Sequence, residues 1–187
     1  MTGRHRSRAM ARVAAAAALL AAGARMAIPL PPVPVTLQTL VLAVIGLTLG
    51  PWYGLSAVLL YLAMGLAGLP VFAGGGGIGY IYAPSFGFLL GFLPAVVVIG
   101  LLRGLDRKIP PFAARFLAAL AGIFPVYALA VPYYSLIKGS YGQAPVWVIL
   151  APFLIYLPGD LAKALAAAAV AGRLGDLRPR SLERELP

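Results

Sequence analysis

The chain has 187 residues, 61% of them hydrophobic and 11% charged, and its formal net charge is +10. A soluble domain of this length needs more polar surface than that, so the composition indicates one integral membrane domain over residues 1–187. Cysteine is absent and the only histidine is His5 in the N-terminal tail. Disulfides and thiolate metal sites are therefore excluded, as are histidine-based metal sites and catalysis in the core.

Six apolar runs predict an all-α bundle of six transmembrane helices within residues 13–172, between basic tails at 1–12 and 173–187. The first three runs are shorter than the roughly 20 residues that a spanning helix needs. Pro152 and Pro158-Gly159 interrupt the sixth run, which allows a short outer helix before a span from about 158 to 172. A cleaved N-terminal signal peptide is the less favoured alternative. The runs cover residues 13–27, 35–49, 53–68, 85–102, 113–136 and 145–172.

The basic residues orient this bundle. Twelve of them lie in the two tails and in the loop after the fourth run, whereas the alternate loops hold only Arg25 and Lys138. Membrane proteins concentrate Lys and Arg on the cytoplasmic side, so both termini are predicted to be cytoplasmic. This clustering between apolar runs also argues against nucleic-acid binding. The outer segments are then 28–34, 69–83 and 136 to about 146, with aromatic residues at their boundaries.

One acidic residue lies inside an apolar run. It is Asp160, and Lys163 follows it at a spacing that places both on one helix face. An ionisable group in the membrane is costly and usually faces a cavity or a partner. We therefore predict a ligand site at Asp160 and Lys163; the alternative is an ion pair that only stabilises the sixth helix.

Two outer loops offer further candidates. Prolines make the first loop extended, and it leads into Thr36 and Gln38. Gln38 could contact a ligand or only another helix. The run 74–79 formally matches GxGxxG but lacks the strand and helix that a nucleotide site requires. Its glycines, among them Gly76 and Gly77, form either a lid over a ligand or a plain connector.

A face of small residues marks the first helix. Ala14, Ala18 and Ala22 recur at intervals of four, which lets another helix approach closely. That helix could belong to this chain or to a partner subunit.

Three stretches resemble the BioY family, the biotin-specific S components of energy-coupling-factor (ECF) transporters. Val33–Leu40 resembles the family signature PVTLQTL, and Pro158–Ala164 is similar to its PGDLLKA element. Leu49–Gly54 and Tyr61–Phe72 also look like the family, so that the likeness spans about 28–170. One element departs from it: the usual GPTGGY is Ala83-Pro84-Ser85-Phe86-Gly87-Phe88, which retains a hydroxyl at Ser85.

The resemblance implies an S-component fold in the cell membrane and biotin as the ligand, with no cofactor and no enzymatic activity. Asp160 would accept the ureido N–H groups, and Lys163 would donate to the ureido oxygen or to the carboxylate. The same resemblance implies that the Ala14, Ala18 and Ala22 face meets a transmembrane coupling subunit. ATP hydrolysis would belong to partner ATPases, which agrees with the absence of a Walker A sequence. Ligand contacts are also expected from Thr36, Gln38, Gly76, Gly77 and Ser85.

Three alternatives remain. The first is an S component or stand-alone carrier for another vitamin, which binding assays would distinguish. The second is an intramembrane enzyme, for which the core lacks a second carboxylate, a histidine or a cysteine. The third is a purely structural membrane protein.

Overall fold

Helices account for nearly all of the regular structure. The computed structural model describes residues 3–29, 33–139, 151–175 and 177. This part of the chain contains five α-helices, a two-stranded antiparallel hairpin and three short 3-10 helices, at Ile78–Tyr82, Arg103–Arg107 and Ala151–Tyr156. The all-α class predicted from the sequence is therefore confirmed. In chain order the elements are α1 (Gly3–Arg25), β1 (Ala27–Ile28), β2 (Val35–Thr36), α2 (Gln38–Leu66), α3 (Phe86–Leu102), α4 (Pro111–Ile137) and α5 (Leu157–Leu174).

Within the described ranges, four helical stretches are long and apolar enough to cross a membrane. They are Gln38–Leu66, Phe86–Asp106, Pro111–Ile137 and Leu154–Leu174. The first helix, α1, is not among them. It begins at Gly3, so residues 3–12, which were predicted as a basic tail, form its first turns. The predicted outer segment after α4 lies largely outside the described residues, from 140 to 150.

The second and third predicted spans are the two limbs of α2. Gly50 interrupts this helix with φ 76° and ψ −175°, a conformation that glycine adopts without steric penalty. The side-chain amide nitrogen of Gln38 donates to the hydroxyl of Tyr61 over 2.8 Å, although the two residues are 23 positions apart. A straight helix would separate them by about 35 Å. The limbs 38–49 and 51–66 therefore fold back on each other as a helical hairpin.

Close helix contacts at glycines hold α3 between its neighbours. A Cβ added at Gly91 would lie 2.6 Å from the Cα of Val126 in α4. One added at Gly100 would lie 2.4 Å from the backbone nitrogen of Pro51 at the α2 turn. Such distances exclude any side chain, so both interfaces bring backbone against backbone. The first half of α3 therefore lies directly against the middle of α4, and the end of α3 lies against the α2 turn.

A candidate ligand-binding site

A buried carboxylate lies in the first turn of α5. Pro158 in that turn is compatible with the helix start, because the first N–H groups of a helix have no intrahelical partner. Asp160 follows in the same turn and is 4% exposed. The positive end of the helix dipole favours a negative charge at this position.

Three side chains bond the Asp160 carboxylate. Tyr127 donates its hydroxyl hydrogen to Oδ2 over 2.6 Å, and Thr39 donates to Oδ1 over 3.3 Å. The Lys163 ammonium lies 3.2 Å from Oδ1 and forms the ion pair expected from the spacing. An ionised carboxylate offers about four acceptor positions. The three bonds fix its orientation and leave capacity for a further donor.

Asp160 and Lys163 lie at one side of a cavity with about 610 Å³ of empty space, counting its mouth. Most of its wall is apolar and a few polar groups converge on it, which is the usual character of a small-molecule site. Apart from these two residues, the lining consists of Val33, Pro34, Val35, Thr36, Gln38, Thr39, Ala73, Tyr80, Ser85, Phe88, Leu89, Phe92, Val126, Tyr127 and Tyr156.

Gln38 both lines this cavity and joins two helices. Its Oε1 accepts the Thr36 hydroxyl hydrogen over 3.1 Å, while its amide nitrogen donates to Tyr61. Tyr61 in turn donates to the carbonyl oxygen of Val71 over 3.2 Å. The two interpretations of Gln38 are therefore compatible, since one side chain provides an interhelical bond and part of the cavity wall.

A tyrosine attaches the first outer loop to the helix that carries Asp160. The Tyr156 hydroxyl donates to the carbonyl oxygen of Val33 over 2.8 Å and accepts from its N–H over 3.1 Å. Both residues are buried. The strand pairing Ala27↔Thr36 closes the base of the loop. The described part of this loop is thus held in an extended form beside the cavity, as its prolines predict.

A shallow vestibule adjoins the cavity. The two share Pro34, Ala73, Tyr80 and Ser85 in their linings. Within this shared wall the Tyr80 hydroxyl lies 3.0 Å from the Ser85 Oγ. Of the two spaces, the vestibule is the more open. Its remaining lining residues are Gly74, Gly79, Tyr82 and Ala83.

Five of the seven predicted ligand contacts line this one cavity. Gly76 and Gly77 are not among the described residues of its wall. A Cβ on Gly76 would lie 2.1 Å from the Leu69 carbonyl oxygen, and the Gly77 N–H donates to the Gly65 carbonyl oxygen over 2.7 Å. Close packing against the end of α2 accounts for these glycines, and their role as ligand contacts stays a prediction. The five that line the cavity are Thr36, Gln38, Ser85, Asp160 and Lys163.

Sequence reasoning missed two tyrosines, Tyr127 and Tyr156. A tyrosine within an apolar run resembles an interfacial anchor, so the sequence gives no signal for the bond to Asp160. Phe88 belongs to the segment that departs from the family motif. Its ring packs edge-on against Tyr127, with centroids 5.8 Å apart, and so supports the residue that orients the carboxylate.

The small-residue face of α1 is exposed. Ala14, Ala18 and Ala22 all have accessible surface, whereas Ala17 and Leu20 on the opposite face are fully buried against the bundle. No other described helix of this chain therefore covers the predicted docking face. Among the described residues there is also no group of three or more potential metal ligands of the His, Cys, Asp or Glu type.

The fold and the cavity together define a multi-pass membrane protein with a small-molecule site between its helix ends. The chain belongs to the BioY family, which it matches over residues 1–180. It is 41% identical over 176 residues to the biotin transporter BioY of Rhodobacter capsulatus, covering 89% of this chain and 92% of that protein. Identity is also 41% over 166 residues to a probable biotin transporter BioY of Lysinibacillus sphaericus, covering 87% of this chain and 84% of the relative.

A solved structure has the same fold. It is the crystal structure of the S component for biotin from an ECF-type ABC transporter. The TM-score is 0.82 at 28% sequence identity, over 93% of this chain and 94% of that one. The predicted S-component fold is therefore confirmed.

Proposed function

We propose that this chain captures biotin as the substrate-specific S component of an ECF-type ABC importer. The observation that carries the proposal is the ion pair of buried Asp160 and partly buried Lys163 at the wall of a mainly apolar cavity, in a chain of the BioY family. A buried ion pair is by itself weak evidence for a stabilising role. Its exposure to a cavity supports a role in ligand binding.

The pair matches the ureido group of biotin in chemistry. That group presents N–H donors beside a carbonyl acceptor. In the protein, a carboxylate acceptor lies 3.2 Å from an ammonium donor, so Asp160 accepts from N–H and Lys163 donates to the ureido oxygen. The bonds from Tyr127 and Thr39 hold the carboxylate in place before the ligand arrives, which reduces the ordering that binding requires.

Apolar residues suit the remaining, hydrophobic part of the ligand. Phe88, Leu89, Phe92 and Val126 line the cavity next to the polar groups. Burial of the thiophane ring against them would contribute roughly 25 cal/mol per Å² of apolar surface removed from water. Gln38, Thr36 and Ser85 provide the other polar contacts in this proposal.

We infer six spans with both termini in the cytoplasm, which places the cavity at the outer face of the cell membrane. The hairpin at Gly50 supports the inference because it supplies two antiparallel limbs within α2. The concentration of basic residues in the tails and in the loop after α3 supports the orientation. Ligand capture from outside and release toward the coupling machinery inside follow from this topology.

The partners in this proposal are a transmembrane coupling subunit and a pair of ATPases. The exposed face of Ala14, Ala18 and Ala22 allows a partner helix to approach α1 closely. Transport energy would come from ATP hydrolysis in the partner subunits.

Equilibrium binding to the purified full-length chain tests the function. Saturable binding of radiolabelled biotin is expected, with displacement by unlabelled biotin and not by thiamine or riboflavin. Tighter binding of another vitamin, or no binding of biotin by folded protein, would contradict the proposal. The first result would favour an S component for that vitamin, and the second a structural role.

A further inference from the structure

Positive charge is scarce around the cavity. Of the described residues that line the cavity and the vestibule, Lys163 alone is cationic. Residues 30–32 and 140–150, outside the described ranges, contain no Lys, Arg or His in the sequence. Arg25 and Lys138, at the ends of α1 and α4, are exposed and line neither space. In the described walls of these two spaces, Lys163 is therefore the one cation that a ligand anion can meet.

Lys163 is already paired with Asp160, 3.2 Å away. A ligand that places its N–H groups on Asp160 brings the adjacent carbonyl to Lys163. In biotin the ureido ring is fused to the thiophane ring, and a four-carbon chain on the thiophane ring carries the carboxylate, so the same lysine cannot reach both ends of one ligand. The carboxylate consequently lies away from Lys163, toward the vestibule.

The vestibule offers neutral hydrogen-bond donors at that position. Tyr80 and Ser85 lie 3.0 Å apart, and the bond between their hydroxyls uses only one of their two hydrogens. The other hydrogen can serve a ligand. A hydroxyl donates to an amide carbonyl as well as to a carboxylate. Among the described lining residues the one cation, Lys163, already has Asp160 as its partner, so a neutral ligand end leaves no cation there unpaired.

We propose that the site recognises the ureido and thiophane part of biotin and leaves the carboxyl end unselected, so that amides of biotin are ligands too. The substrate class then includes biotin joined through its carboxyl group to an amine, as in biotinyl-lysine. This inference rests on the proposed biotin function and adds that the free carboxylate is not required.

Competition binding on the full-length chain tests it with biotin, biotinamide and biotinyl-lysine. Both amides are expected to bind within about tenfold of biotin, because a neutral hydrogen bond replaces a charged one at a solvated position. A loss of about a hundredfold or more for either amide, which is the effect of stranding a buried cation, would overturn the inference. Biotin binding in the same assay reports separately on the proposed function, and its absence would overturn both.

Variants decide which end of the ligand meets Lys163. Lys163→Met should lower the affinity for biotin and for biotinamide by the same factor. Ser85→Ala should lower both affinities by a few-fold. Tyr53→Phe, just after the Gly50 turn inside α2 and outside the linings of both spaces, is the control and should leave the affinity for both ligands unchanged. If Lys163→Met weakens biotin by tenfold more than biotinamide, the carboxylate contacts Lys163 and the inference is wrong.

Discussion

The hydroxyl of Tyr127 and the carboxylate of Asp160 form the shortest of the three bonds that orient the buried acid, 2.6 Å against 3.2 and 3.3 Å. The tyrosine lies in the middle of α4 and the aspartate in the first turn of α5. The bond thus joins two α-helices that are consecutive in the described part of the chain, next to the charged side chains of the cavity wall.

Removing the Tyr127 hydroxyl should weaken ligand binding although the residue keeps its ring. Tyr127→Phe deletes a hydrogen bond to a charged group, which contributes roughly 1.5–3 kcal/mol. We expect biotin affinity to fall by about tenfold in equilibrium binding. Thr39→Val removes the longer bond and should have a smaller effect. A larger loss for Thr39→Val than for Tyr127→Phe would contradict this order of importance.

Replacing both members of the ion pair separates a binding role from a structural one. Asp160→Asn alone should reduce biotin affinity by about ten- to a hundredfold, because it removes the charge from the ureido acceptor. Single variants also leave a buried partner without its counter-charge, which destabilises the helix.

The double variant Asp160→Leu with Lys163→Met avoids that complication. A purely structural pair can be replaced by apolar residues on both sides with little loss of stability. We expect the double variant to fold, as judged by thermal unfolding, and to bind no biotin. Parental affinity in a folded double variant would show that the pair has only a structural role.

The docking face should tolerate no large side chain. Ala18→Leu is expected to abolish co-purification with the coupling subunit, since it separates two closely packed helices, while biotin binding by the isolated chain stays unchanged. Ala128→Leu makes the same change at an exposed position of α4 and serves as the control. Equal co-purification of both variants would exclude this face as the interface.

Single-cysteine labelling can test the orientation because the chain has no cysteine of its own. Ile78 is 69% exposed in the glycine-rich loop between α2 and α3. Ile78→Cys should react with a membrane-impermeant maleimide on intact cells. Gly104→Cys, in the loop after α3, should react only after the membrane is opened. The reverse labelling pattern would show that the chain has the opposite orientation in the membrane.

The sequence predicts the parts of this molecule that depend on charge or on a break in an apolar run. Asp160 and Lys163 are conspicuous because charge is rare in the membrane, and their distance follows from helical periodicity. The start of α5 near Pro158 follows from the helix-breaking property of proline. Gly50-Pro51 similarly separates two apolar runs, which the structure brings together as the limbs of α2.

Contacts between distant segments could not be predicted in the same way. The bonds from Tyr127 to Asp160 and from Tyr156 to Val33 join residues 33 and 123 positions apart, and the sequence pattern carries no information on such pairs. Gly76 and Gly77 illustrate the opposite difficulty. Glycine is required wherever backbone approaches backbone, so a glycine run alone does not distinguish a ligand contact from a packed turn.

The turn at Gly50 has a consequence for how the protein enters the membrane. Its first limb, residues 38–49, is about 18 Å long, well short of the roughly 30 Å hydrocarbon layer. A segment of that length is a poor candidate for insertion on its own. During synthesis, residues 38–66 would then insert into the membrane as one hydrophobic unit. The first limb would reach its final position only after the second limb has been synthesised and packs against it.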